Sequence, residues 1–170
     1  MKIALFVLAG ILILSACVVL IGLLLPKSHV VSRSASFHAG PEKLFALIAG
    51  PQSWRPDVVH YEAVPDASGR ELASETTRNG ETVRYELLDR VPFVSLTRRI
   101  VTENLPYSGE WNFSLQTNGT NTTVRITERG EVYNPVFRFI SRFVLGQTHT
   151  IDAYLQALGK TTGQTIEIQD

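Results

Sequence analysis

Residues 107–135 read YSGEWNFSLQTNGTNTTVRITERGEVYNP, and this stretch predicts two strands, the turn between them and the start of a helix. Apolar and polar residues alternate through both strands, which is typical of an antiparallel sheet with one buried face. The apolar side of the two strands holds Trp111, Phe113, Leu115, Val124 and Ile126. Asn134 and Pro135 then favour a helix start, because asparagine caps free amide groups and proline suits the first helical position.

Further strands precede this pair. Strand-forming runs between turn residues predict them at residues 29–37, 58–64, 71–77, 83–88 and 94–101. Asn79-Gly80 is a strong signal for a two-residue hairpin. A short helix is expected to begin at Pro41 and to end at Gly50. The pattern therefore predicts an α+β domain with an antiparallel sheet of about seven strands.

A helix after Pro135 is expected to cover the apolar face of this sheet. Apolar residues recur at helical spacing, at Val136, Ile140, Phe143, Val144, Ile151, Tyr154, Leu155 and Leu158. This spacing predicts one long helix, in which Gly146 is a residue where a kink can form. Arg138 and Arg142 are expected on its solvated side, with a contact to anionic lipids as the alternative. Residues 161–170 are expected to be a loose tail or a short extra strand.

The amino-terminal segment, residues 1–26, is predicted to be a transmembrane anchor. Residues 3–25 contain no charged residue. At about 1.5 Å per residue this run reaches roughly 35 Å, which exceeds the ~30 Å hydrocarbon core of a bilayer. A cleavable signal peptide is one alternative, although its apolar region is usually about 7–15 residues long. A lipoprotein signal is another, because Leu14-Ser15-Ala16-Cys17 resembles the lipobox of bacterial lipoproteins.

The topology of this anchor rests on a nearly balanced distribution of positive charge. Lys2 precedes the span, and Lys27, Arg33 and Lys43 follow it within the relevant window. We favour a single-pass membrane protein with its amino end in the cytoplasm and its domain outside.

Composition excludes several classes of protein. Lys plus Arg equals Asp plus Glu, at 16 each, which argues against a broad nucleic-acid binder. The single cysteine excludes both an internal disulfide and a cysteine-based zinc site. The four histidines are scattered, so no metal site and no cofactor is expected.

The order of elements resembles the START-like superfamily, which includes the plant pollen allergen and the polyketide cyclase and dehydrase families. Several segments match, namely Ala39-Gly40-Pro41-Glu42-Lys43-Leu44-Phe45, Trp54, Asn79-Gly80 with Tyr85, Gly109-Glu110-Trp111, Thr122-Thr123-Val124, Gly130-Glu131-Val132-Tyr133-Asn134-Pro135 and Tyr154-Leu155-Gln156-Ala157-Leu158. The resemblance covers residues 28–160. It implies a helix-grip fold, in which a curved sheet surrounds a long carboxy-terminal helix and many relatives enclose an apolar cavity.

The candidate site residues are those expected between sheet and helix. The aromatic candidates for the lining of a pocket are Trp54, Tyr61, Tyr85, Trp111 and Phe113, and the helix contributes Ile140 and Val144. A solid core is the alternative. Arg98 and Glu128 are in phase with the apolar face, so burial would require a partner for each. If both point inward, they are expected to pair with each other, or one of them to bind a ligand's polar group. The alternative is that each lies at a strand end near solvent or that a bulge changes the register.

Three functions are compatible with these features. The first is a membrane-tethered domain that binds or transfers a small hydrophobic ligand, such as a lipid or a polyketide-like molecule. The second is a cyclase-like or dehydratase-like enzyme with Arg98, Glu128, Tyr85 or His60 in acid–base roles. The third is a partner-binding domain with a filled core and no ligand.

Overall fold

An antiparallel sheet of eight strands forms the body of the protein, and the computed structural model describes residues 2–170. Met1, the first residue of the predicted anchor, lies outside the described residues. The strands are β1 (Ser28–Phe37), β2 (Val58–Pro65), β3 (Glu71–Thr77), β4 (Thr82–Val91), β5 (Ser95–Ile100), β6 (Tyr107–Asn118), β7 (Asn121–Val132) and β8 (Ile168–Gln169). The helices are α1 (Lys2–Leu24), α2 (Pro41–Ala49), α3 (Pro135–Ile140) and α4 (His149–Thr161). This arrangement confirms the predicted α+β helix-grip fold.

The sheet has the order β2-β3-β4-β5-β6-β7-β1-β8, so the first long strand pairs with the last one. The β3–β4 hairpin turns at the predicted glycine, because Gly80 adopts a positive φ of 86°. In the middle of the sheet, Trp111 lies opposite Arg98 on one neighbouring strand and opposite Glu128 on the other. The indole therefore separates the two charged residues whose positions are in phase with the apolar face.

The hydrophobic core lies between the concave face of the sheet and helices α2 and α4. Each helix buries one apolar side there, because its apolar residues recur every three or four positions. The fully buried large side chains include Phe37, Leu44, Ile48, Phe113, Ile126, Ile151, Leu155 and Leu158. The predicted apolar helical face is thus correct in its second half, at Ile151, Tyr154, Leu155 and Leu158.

The prediction of one continuous helix is wrong for the first half of this face, from Val136 to Val144. The chain after Pro135 forms α3, then a π-helical turn at Ser141–Leu145, and breaks at Gly146 before α4 begins. Gly146 has φ 82° and ψ 144°, a conformation that residues with a Cβ rarely adopt. The segment before the break consequently does not lie on the core, and Val144 is 68% exposed.

Two further expectations are corrected near the termini. Arg138 is buried, not solvated, because its guanidinium donates hydrogen bonds to the carbonyls of Leu25 and Tyr133 at 2.9 and 3.2 Å. Of the two alternatives for residues 161–170, the structure contains the short extra strand, in which Ile168 pairs with Ala35 of β1.

Helix α1 is long and apolar enough to cross a membrane, with a mean hydropathy of 3.0 over its most apolar window. A signal sequence near the amino terminus can also meet this criterion of length and composition. Cys17 lies inside this helix and is exposed. The carboxyl end of α1 packs against the start of α3, where a Cβ added to Gly22 would lie 2.0 Å from the carbonyl oxygen of Pro135.

Replacing Gly146 distinguishes a broken helix from a continuous one. We expect Gly146→Ala to destabilise the protein by about 1–3 kcal/mol, because alanine is strained at this positive φ. In a continuous helix the same change would stabilise it by roughly 0.5–1 kcal/mol. The free energy of unfolding is measured by guanidinium titration in detergent, followed by tryptophan fluorescence.

Gly40→Ala is the matched control for this measurement. Gly40 has a φ of −68°, which alanine adopts freely, and an added Cβ would meet only the flexible Glu42 carboxylate. Since Gly40 is the N-cap residue of α2, where alanine is less favourable than glycine, this change should cost less than about 1 kcal/mol. Stabilisation by Gly146→Ala would contradict the broken helix.

Candidate ligand-binding site

A cavity of about 600 Å³ lies between the concave face of the sheet and the carboxy-terminal helices. Strands β4 to β7 form its floor, and α4 with the segment before Gly146 forms its roof. Its walls include five aromatic side chains, namely Tyr85, Tyr107, Trp111, Phe137 and Tyr154. The space stays open because residues 136–145, before the break at Gly146, do not pack on the sheet.

A buried charge cluster lies at one end of the cavity. The Glu75 carboxylate is 2% exposed and accepts hydrogen bonds from Nη1 of Arg55 at 2.8 Å and Nη1 of Arg98 at 3.2 Å. Arg55 also pairs with Asp57. Two guanidinium groups therefore face two carboxylates, and the cluster has no net charge.

Arg98 is the member of this cluster with the most contacts. Its Nη2 donates to the carbonyl of Ile48 at 3.3 Å and to the hydroxyl of Tyr154 at 3.4 Å. Its guanidinium carbon lies 4.9 Å from the ring centre of Phe113 and 5.8 Å from that of Tyr85. Among the described residues its Nε atom is buried without a hydrogen-bond partner. Because this atom is also closed to solvent, the guanidinium makes its hydrogen bonds within the protein.

A second, smaller cavity of about 400 Å³ lies on the other side of the cluster, under the end of α2. Tyr61 contributes to its wall, and Arg98 and Tyr85 contribute to the walls of both cavities. These two side chains therefore stand between the cavities.

A second polar group lies on the wall of the larger cavity. Glu128 accepts a hydrogen bond from Nε1 of Trp111 at 2.7 Å, and its other oxygen lies 3.1 Å from Nε2 of His29. His29 pairs with Gly130 in the β1–β7 register. A Cβ on Gly130 would lie 2.5 Å from the imidazole, so glycine is required for the histidine to reach Glu128.

The tyrosines of the cavity remain protonated well above neutral pH. Burial raises the pKa of Tyr85 and of Tyr154 to about 12. Tyr154 donates its hydroxyl proton to Oε1 of Gln52 at 3.1 Å. The Tyr85 hydroxyl makes no hydrogen bond to a described residue, so it is a donor available to a ligand.

The structure separates the candidate residues into three groups. Four of them line the larger cavity or both cavities, namely Tyr85, Arg98, Trp111 and Glu128, while Tyr61 lines only the smaller one. Phe113 is fully buried in the solid core, and Trp54 donates its Nε1 proton to the carbonyl of Leu47 beside that core. Ile140 and Val144 line neither cavity.

Arg98 and Glu128 both point inward, but they do not pair with each other. Arg98 pairs with Glu75, and Glu128 accepts a hydrogen bond from Trp111.

Several cavity residues were missed in the sequence. His29, Arg55, Tyr107 and Phe137 line the cavity, whereas His60 is exposed beside Glu62 on β2. His29 is three residues beyond Pro26, where the sequence marked only a strand start. Only its pairing with Gly130, about 100 residues away in the chain, brings His29 to the cavity. No local sequence pattern shows that pairing.

Comparison with known proteins shows which family and which solved structures the domain is similar to. A family model described as polyketide cyclase / dehydrase and lipid transport matches residues 28–161. A START superfamily protein from Mycobacterium smegmatis is similar in structure, with a TM-score of 0.63, 13% identity and coverage of 79% of this chain and 97% of that one. Norcoclaurine synthase from Thalictrum flavum is also similar, with a TM-score of 0.60, 11% identity and coverage of 81% and 88%.

The norcoclaurine synthase has also been solved in complex with dopamine and hydroxybenzaldehyde, and that structure has a TM-score of 0.58 at 12% identity, covering 79% of this chain and 86% of that one. No curated protein matches the chain. The solved structures establish a shared fold, since their identities are far too low to transfer an activity.

Neutralising Glu75 tests the buried charge cluster. Glu75→Gln leaves two buried guanidinium groups short of a counter-charge, so we expect a loss of roughly 3 kcal/mol in the free energy of unfolding. Glu71→Gln is the control on the same strand, because Glu71 pairs with Arg90 at 3.3 Å while 62% exposed. That change should cost less than about 1 kcal/mol. Equal losses in guanidinium titrations would show that the cluster has no special role.

Proposed function

Because the chain belongs to the polyketide cyclase / dehydrase and lipid transport family, we propose that it is a membrane-tethered domain that binds or transfers a small hydrophobic ligand. The ligand occupies the larger cavity, between the sheet and the carboxy-terminal helices. Residues 28–160 are the binding unit, and the amino-terminal segment is its anchor.

The observation that supports this function best is the size and character of the cavity. Its volume of about 600 Å³ falls within the range of roughly 300–1,000 Å³ for small-molecule sites. Aromatic rings line it, and two polar clusters lie on its wall. A domain that only docked a protein partner would have no need of such a space inside its core.

The polar groups on the wall define the ligand's chemistry. Since the Glu75 cluster has no net charge, it offers no strong attraction to an anion. A hydrogen-bond donor lies beside it on the cavity wall instead, at the Tyr85 hydroxyl. We infer a ligand with an apolar, acyl or aromatic body and an acceptor oxygen such as a carbonyl.

The tether has a direct effect on binding. A ligand that dissolves in the bilayer is concentrated there, and an anchored domain samples that concentrated pool instead of the aqueous phase. Helix α1 supports the anchor by its length and composition. We place the domain outside the cytoplasm, with the amino end inside.

Filling the cavity from α4 tests ligand binding. Ala153 lies on the roof of the cavity, and we expect Ala153→Trp to reduce binding at least about tenfold by occupying the space. The full chain is incubated in detergent with methyl palmitate or with Nile red, which are uncharged apolar molecules that carry a carbonyl oxygen. Native mass spectrometry, which strips the micelle, then measures the fraction of protein that retains a bound probe.

Gln156→Trp is the matched control for this experiment, because Gln156 is exposed on the same helix and lines neither cavity. It should leave the bound fraction unchanged. The proposal is wrong if neither probe stays bound to the unaltered protein. It is also wrong if the two tryptophan variants behave alike.

A second function is favoured by one specific contact. The imidazole of His29 and the carboxylate of Glu128 form a pair on the cavity wall. With Nε2 donating to Glu128, Nδ1 has a lone pair and the carboxylate stabilises the imidazolium after proton uptake. Such a pair can remove a proton next to the carbonyl of a bound ketone and return it to the enolate. This is the chemistry that a cyclase or dehydratase needs.

Hydrogen exchange on a simple aromatic ketone tests this second function. Acetophenone in heavy water should incorporate deuterium into its methyl group faster with the protein than in buffer, as followed by proton NMR. We expect His29→Gln to slow the catalysed exchange about 100-fold. His60→Gln should have no effect, since His60 is exposed outside the cavities. Exchange at the buffer rate would reject the acid–base function and leave the binding function standing.

A further inference from the structure

The segment between α3 and Gly146 presents a large apolar surface to its surroundings. Val136, Phe137, Phe143, Val144 and Leu145 are all exposed, with Phe143 and Val144 at 59% and 68%. Five such side chains fall within ten consecutive residues, which is denser than the scattered exposed apolar residues of an ordinary surface. Phe137 and Leu145 lie at the cavity, and we call the whole set the patch. We refer to these ten residues as the 136–145 segment.

This surface is held away from the core by the structure itself. The Gly146 break turns the chain, and Asn134 caps the start of α3 by accepting hydrogen bonds from the amides of Val136 and Phe137 at 2.9 and 3.2 Å. The segment is therefore ordered by hydrogen bonds at its start and by a glycine turn at its end. Its apolar side chains need an environment other than water.

The segment is attached directly to the end of the apolar helix α1. Arg138 donates a hydrogen bond to the carbonyl of Leu25 at 2.9 Å, and Gly22 is buried against Pro135. Gly22 lies only two residues before the last residue of α1, so about 3 Å of helix separates this contact from the helix end. The start of the 136–145 segment is thus at the depth where α1 would leave a bilayer.

Two exposed basic residues accompany the patch. Lys27 follows the end of α1, and Arg142 lies within the segment, where it donates a hydrogen bond to Gln147 at 3.2 Å. Both side chains are exposed. Apolar side chains beside long basic ones are typical of surfaces that lie in the membrane interface, because the charged groups reach the phosphates while their stems stay in the apolar layer.

We propose that the 136–145 segment docks into the bilayer surface beside the point where α1 emerges. This inference rests on the proposed membrane tether, and it adds a second contact between the domain and the lipid. Because Phe137, Ser141 and Leu145 also line the larger cavity, the docked segment places the roof of the cavity against the bilayer.

Depth measurement on the full chain tests the docking. Single cysteines are introduced in a Cys17→Ser background and labelled with a nitroxide, in vesicles of phosphatidylcholine with phosphatidylglycerol. Collision rates with oxygen report contact with lipid, and collision rates with a nickel chelate report contact with water. We expect a label at Val144→Cys to collide mainly with oxygen.

Two matched positions make the outcome specific. Asn118 lies at the far end of β6, roughly 36 Å from the strand end next to Lys27, so a label at Asn118→Cys should collide mainly with nickel. Leu12 lies in the middle of α1, and a label at Leu12→Cys should collide mainly with oxygen.

Each result has a definite meaning. A nickel-accessible Val144 label beside a lipid-facing Leu12 label would overturn the docking and leave the tether intact. A Val144 label that neither reagent reaches would show that protein, such as a second copy of this chain, covers the patch, which also overturns the docking. A water-exposed Leu12 label would overturn the tether and the docking together.

Discussion

The buried carboxylate of Glu75 is the constraint on which the interior of this domain depends. It binds Arg98 of β5 and Arg55 of the turn after α2, and Arg98 in turn contacts Tyr154 of α4. Removing a charge from water is costly unless it is paired and hydrogen-bonded, so these groups must stay together once the domain has folded. The cluster thereby fixes the distance between sheet and helix at this point, and a fixed distance is what keeps a cavity from collapsing.

The break at Gly146 complements this constraint at the other end of the cavity. A continuous helix would bring its whole apolar stripe onto the sheet and fill the space with Ile140 and Val144. The broken chain packs only α4 on the core and leaves the preceding segment to form a roof. Cavity and exposed patch are consequently two results of one backbone feature.

The sequence predicts the fold well and the site only in part. Alternation puts Arg98 and Glu128 in phase with the inner face, because side-chain direction along a strand has a period of two. The structure then shows that both point inward. Their partners are not visible, since Glu75 and Arg98 meet across β4 and His29 meets Glu128 through a pairing of the first and last long strands. Both depend on register between distant segments, including an irregularity between Leu87 and Asp89. The helical stripe misleads for another reason: helical spacing shows that a side is apolar but does not show what covers it.

What covers the apolar face of residues 136–145 matters for how a ligand would reach the cavity. An apolar stripe over residues 136–145 is equally consistent with a protein core and with lipid, and only the position of α1 separates the two. Since α3 contacts the end of α1, the segment that roofs the cavity is also the one nearest the proposed bilayer. A hydrophobic ligand that leaves the membrane there has a short path to the cavity and little exposure to water. The hydrophobic effect opposes transfer through water in proportion to the apolar area exposed, so this geometry lowers the main barrier to such a transfer.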